Sequence, residues 1–127
     1  MAKLNKEQAI QQFWESFGLT AYDSSTIPTG DNAPEPPYIT YDVITDSIGT
    51  PVALAGSIWY RSTSWKDITA KKDQIAEDIG YGHKIIPIEG GYLYITKGSP
   101  FAQRMSDEDD SIRRIYINLM VEFLTAY

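Results

Sequence analysis

Ile10, Phe13, Trp14 and Phe17 fall at i, i+3, i+4 and i+7, which predicts an amphipathic helix from about Asn5 to Gly18 with one strongly apolar face. Lys6, Gln8, Gln11 and Glu15 fall off that stripe, and Gly18 is a natural stop. From Tyr38 to Thr45 the period changes to two, with Ile39, Tyr41 and Val43 alternating against Thr40 and Asp42. Turn chemistry from Asp46 to Thr50 leads into a returning strand, Val52 to Ser62. There Val52, Leu54, Gly56, Ile58 and Tyr60 share one face; Ala53, Ala55, Ser57, Trp59 and Arg61 share the other. Pro51 is acceptable as an entry residue, which need not donate to the ladder. Ser64 is positioned as the N-cap of a second helix, Trp65 to Ile79, with Ile68, Ile75 and Ile79 as its buried stripe. Short strands at Lys84–Ile88 and Tyr92–Lys97, separated by Glu89, Gly90 and Gly91, read as a hairpin. Ile115, Ile117, Leu119, Val121 and Phe123 then alternate with Arg114, Tyr116, Asn118 and Glu122 in a long final strand.

Two stretches fall outside this scheme. Tyr22 to Pro37 carries Pro28, Pro34, Pro36 and Pro37 among Ser, Thr, Asp and Gly, and reads as a long loop. Gly98 to Ser111 reads as a second polar excursion, ending in the acid run Asp107, Glu108, Asp109 and Asp110. The element order α-β-β-α-β-β-β predicts an α+β fold, a two-layer sandwich in which two helices cover one face of a mostly antiparallel sheet of about five strands. The uncovered face would present Trp59, Arg61, Arg114, Tyr116 and Glu122, an aromatic and arginine-bearing composition that partner-binding surfaces favour.

The chain's 127 residues suit one domain, 1–127, large enough to bury a core without staples. The absence of cysteine removes disulfides, thiolate metal sites and cysteine nucleophiles together. Aromatic residues at 13% and charged residues at 22% argue against disorder. A net charge of −6, from 11 basic and 17 acidic residues, argues against wrapping nucleic acid. No apolar run approaches the roughly 20 residues that span a bilayer. The N-terminal segment, from Met1 to Glu7, lacks the apolar centre of a signal peptide. These features predict a protein made in the cytoplasm and independent of membranes.

Catalytic motifs are missing from the pattern. His83 is the single histidine, so a metal site would rest on carboxylates alone. Gly80 and Gly82 follow a helix, whereas glycines that cradle phosphate precede one. The acid run lacks the alternating oxygen ligands and central glycine of a calcium loop. None of the serines stands in a nucleophile elbow. The expectation is a non-enzyme with no cofactor and no metal.

Several runs together carry a resemblance: Pro36-Pro37-Tyr38-Ile39-Thr40-Tyr41, Ile58-Trp59-Tyr60-Arg61-Ser62-Thr63-Ser64-Trp65, Ile86-Pro87-Ile88-Glu89-Gly90-Gly91-Tyr92, Ser99-Pro100-Phe101-Ala102-Gln103-Arg104-Met105, and the closing strand to Tyr127. With the element order, they make the chain resemble the tail terminators, or tail-completion proteins, of long-tailed (siphovirus-type) phages and prophages. The resemblance implies a structural protein of the virion. It would form a hexameric ring on the last ring of tail-tube protein, end tube polymerisation, and present a surface to the head–tail connector protein. DNA would pass through the lumen without specific binding, and an acidic lining would lower its affinity. Asp107, Glu108, Asp109 and Asp110 are the candidate lumen residues; Trp59, Arg61, Arg114 and Tyr116 are the candidate subunit contacts. Two other readings compete: a head–tail connector or stopper of the neck, and a small ligand-binding module or enzyme using the long loops.

Overall fold

A computed structural model describes residues 3–127; Met1 and Ala2, the start of the polar N-terminal segment, lie outside the described residues. The elements are α1 (Lys6–Glu15), β1 (Ala21–Asp23), β2 (Tyr38–Tyr41), β3 (Val52–Arg61), α2 (Lys66–Ile79), β4 (Lys84–Ile88), β5 (Gly91–Met105) and β6 (Ile112–Thr125), with a short 3-10 turn at Gly30–Asn32. They build one six-stranded sheet in the order β1-β2-β3-β6-β5-β4. Every neighbouring pair is antiparallel except β1 and β2.

The α+β class and the two helices match expectation, and the sheet differs from it by one strand. Ala21–Asp23 forms β1, parallel to β2, inside what reads as loop. Parallel neighbours cannot be joined by a tight turn and need a crossover of about a dozen residues or more. Residues 24–37 are that crossover, so their length is a demand of topology. The other excursion is half strand. β5 runs on to Met105, and only residues 106–111 connect it to β6. Its alternation is masked by an irregularity between Lys97, which pairs with Leu119, and Ala102, which pairs with Ile117. Gly98 allows the strand to fold over there: a Cβ at this position would lie 2.5 Å from the Asn118 amide nitrogen, which itself donates to the Pro100 carbonyl at 3.3 Å.

α1 starts at a capping box, with Asn5 accepting from the Gln8 N–H and Gln8 accepting from the Asn5 N–H. It ends at Glu15, before the expected Gly18. α2 starts at Lys66 and not Trp65, because the Ser64 hydroxyl accepts from the Lys66 N–H at 3.1 Å and Trp65 takes the N-cap position.

Both helices lie over one face of the sheet, and their buried residues join a single core. α2 packs on β3, β5 and β6; α1 touches β1 and β2 near one edge and β4 at the other. The sheet is therefore curled around α1 and departs from a flat two-layer sandwich. A backbone bond from the Glu89 N–H to the Leu4 carbonyl, 2.8 Å long, fastens the β4 end to the chain leading into α1. The centre of this arrangement is Trp14, fully buried, whose ring edge lies over Gly56 so closely that a Cβ there would be 3.0 Å from it. Gly56 is the space that Trp14 fills.

Candidate interaction surface

The alternation of β3 and β6 determines what the uncovered face carries. Leu54, Ile58, Ile115, Ile117 and Leu119 are buried under the helices, so Ser57, Trp59, Arg61, Arg114 and Tyr116 point the other way. Trp59 is paired across the ladder with Arg114 on one side and Tyr38 on the other. The side chains follow that register. Tyr22 of β1 meets Tyr38 edge-on at 5.8 Å, Tyr38 stacks on Trp59 at 6.1 Å, and the Arg114 guanidinium lies 4.8 Å from the Trp59 ring centre. A row of three rings and a guanidinium thus crosses four strands.

Two hydrogen bonds hold the row in place. The Trp59 indole N–H donates to the Thr40 hydroxyl at 2.9 Å, and the Arg114 Nε–H donates to the buried Ser57 hydroxyl at 3.1 Å. Burial pushes the Tyr38 hydroxyl pKa above its ordinary value, and the nearby charge of Asp107 raises it further. Tyr116 stands beside the row, in register between Ser57 and Gln103.

All four arginines of the chain are gathered at this end of the sheet: Arg61 and Arg104 close β3 and β5, and Arg113 and Arg114 open β6. On the helix side, the guanidinium groups of Arg104 and Arg113 lie 4.6 and 5.2 Å from the Trp65 ring centre. Arg113 is anchored, donating to the carbonyls of Thr63 and Asp110 at 2.8 and 2.9 Å. Stacked guanidinium groups are already partly desolvated, and Arg with Trp and Tyr dominates the energetic centres of protein interfaces.

The acid run turns the chain between β5 and β6 at the same end. Asp107 accepts from the Asp109 N–H at 3.0 Å, and Asp109 accepts from the N–H and hydroxyl of Ser111 at 2.8 and 2.7 Å. These bonds, the Ser111 hydroxyl first, hold the Asp109 carboxyl below its usual pKa, with a smaller contribution from Arg61. Arg61 lies 3.7 Å from Asp109 and 3.7 Å from Glu35 of the β1–β2 crossover, so one guanidinium ties both connections together. Asp107 to Asp110 are all exposed. Among the described residues, no three His, Cys, Asp or Glu side chains converge to hold a metal ion. His83 is exposed and stacks on Tyr94 at 4.6 Å.

The structure therefore brings Trp59, Arg61, Arg114 and Tyr116 onto one face and places Asp107–Asp110 beside them. Sequence reasoning missed Tyr22, Tyr38, Trp65, Arg104 and Arg113. Tyr38 could have been found by sliding the first hairpin into register, because it lies opposite Trp59. Arg104 could not, since its segment did not read as strand.

The fold has a counterpart. The chain is similar to a chain of the virion of a native gene transfer agent (GTA) particle, with a TM-score of 0.55, 15% sequence identity, and 93% of each chain covered. No family model matches the sequence, and no curated protein sequence matches it. At that identity the likeness is one of fold. Among the described residues, no helix is long and apolar enough to cross a membrane.

Proposed function

We infer that this chain is a structural virion protein of a phage-like particle, non-catalytic, and that it acts at the end of the tail. The observation that carries the reading is the near end-to-end likeness of fold to a chain from a gene transfer agent virion. In the finer form of the proposal, six copies close a ring on the last layer of tail-tube protein, stop its growth and offer a surface to the head–tail connector protein. The Arg–Trp end supports an assembly role: it is rich in the residue types that anchor protein interfaces. A closed ring needs two different complementary patches on each subunit, and its tail-tube and connector neighbours need further surface; the exposed sheet face is one such surface. The lumen assignment of Asp107, Glu108, Asp109 and Asp110 belongs to the same proposal.

Electron microscopy of lysates from a phage or prophage lacking this gene tests the role. Tails of uncontrolled, excessive length are the expected result, since removing the cap leaves tube growth unchecked. Tails of normal length beside detached, filled heads would overturn capping and move the protein to the connector side of the neck. Intact virions of normal appearance would overturn the virion role itself.

A further inference from the structure

The cations of this chain are unevenly placed, although acids occur on both sides of the sheet, the run Asp107–Asp110 among them. Between Glu7 and Tyr60 there are seven Asp and Glu residues and no Lys or Arg. That segment builds the β1–β2 side, where Asp31 and Asp42 are exposed and, with Asp23, have no cation within ion-pair distance among the described residues. The β5 side is different. β4 pairs with β5 only from Gly91 to Ile95, so the outward edge of β5 from Thr96 to Met105 has no strand beside it. Lys97 and Arg104 flank this open edge, both exposed and neither with a carboxylate partner among the described residues. Each instead rests on an aromatic ring, Lys97 over Phe101 at 5.6 Å and Arg104 over Trp65 at 4.6 Å. Lys72 of α2 lines a cleft with Arg104 and Gln103, but its ammonium is already paired with Asp73 at 2.7 Å.

An unpaired strand edge is a template for another chain, and folded proteins that leave one open usually cover or charge it. Here the edge carries cations, and the far side of the same molecule carries unpaired acids. We propose that the open edge of β5, with Lys97 and Arg104, receives the acidic β1–β2 side of a second copy of this chain, through Asp23, Asp31 and Asp42. The contact is heterologous: each copy uses one side to give and the other to receive, the arrangement that closes rings. It rests on the ring reading above and names its mating surfaces. Its charge pairing sets register and encounter rate more than affinity. One open edge is also small beside the roughly 800 Å² per partner of a stable interface. Isolated subunits thus pair weakly and hold firmly only when a ring closes.

The absence of cysteine makes a clean test possible. Full-length Asp31→Cys and Gln103→Cys variants, both at exposed positions, are mixed and bridged with a bismaleimide. The expected result is a mixed dimer forming on the order of tenfold faster than either like-with-like dimer at low salt, with the advantage fading as salt is added. Like-with-like products forming as fast as mixed ones would overturn the proposal. A second measurement guards against perturbation by the cysteines. Asp31→Lys/Asp42→Lys and Lys97→Glu/Arg104→Glu variants should each lose self-association in sedimentation experiments and recover it when combined. Failure to recover on mixing, with both variants folded by circular dichroism, overturns the pairing. Uncapped tails in the gene deletion together with unselective cross-linking would keep the capping role and discard these surfaces. Selective cross-linking with normal tails would do the reverse.

Discussion

Ile58 and Trp59 are neighbours in β3, yet they belong to different physical worlds. Ile58 is fully buried under the helices opposite Ile115. Trp59 is only partly buried, on the other face, with Arg114 over its ring. The inner face is held by packing, where shape is decisive and each lost methylene leaves a void. The outer face is held by stacking and a few hydrogen bonds, which fix geometry while leaving surface free for another molecule. The difference teaches which residues keep the fold and which are available for a task.

Substitutions can break that comparison. The largest effect belongs to the centre of the inner face: Trp14→Ala should lose about 3–5 kcal/mol of stability, read as a lower denaturant midpoint. Gly56→Val attacks the same contact from the other side, because its added atoms have no room against the Trp14 ring or the Thr40 carbonyl, both 3.0 Å from a Cβ. Ile58→Ala follows, at about 2–4 kcal/mol. Trp59→Ala, its neighbour, should cost only about 1–2 kcal/mol, since it is only partly buried and the stacking terms are small. It should nevertheless disrupt assembly more than Ile58→Val does. Equal stability losses for Ile58→Ala and Trp59→Ala would erase the distinction between the faces.

Smaller effects sharpen it. Arg114→Ala removes one cation–π contact and one hydrogen bond and should cost about 1 kcal/mol. Arg61→Ala, whose two ion pairs are exposed, should change stability by less than about 0.5 kcal/mol. The smallest effect is a pH dependence. Because the folded pKa of Asp109 is lowered from 3.8, its contribution is present above the unfolded value and is lost as pH falls through the folded one. Unfolding midpoints measured through that acid range should fall less steeply in Asp109→Asn than in the parent chain. Identical slopes would show that the Ser111 turn does not depend on charge.

Much of this division was legible before any coordinates. Period-two alternation in β3 and β6 separated Ile58 from Trp59 and Ile115 from Arg114, since a pleated strand leaves no choice of side. The stripe of α1 found Trp14 as well. What stayed hidden depends on partners distant in the chain. β1 is three residues long and exists because β2 lies beside it, so no local period announces it. The convergence of Arg104 and Arg113 on Trp65 joins three elements, and nothing in the spacing of those residues predicts the meeting. The crossover of residues 24–37 reads only as a long loop, because nothing local announces that the strands it joins are parallel.

The fold-over in β5 has a consequence of its own, one of counting. Between Lys97 and Ala102 the strand spends five steps where β6 spends two, from Leu119 to Ile117, so three residues are surplus. An odd surplus inverts the strand's parity, and everything beyond it changes sides relative to an uninterrupted alternation. That inversion directs Arg104 toward Trp65 and leaves Gln103 beside Tyr116. Residues 98–101 therefore act as a phase setter for the end of the strand. Lengthening or shortening them by one would exchange Arg104 with its neighbours across the sheet, whereas a change of two would keep the sides and alter only the size of the loop-out.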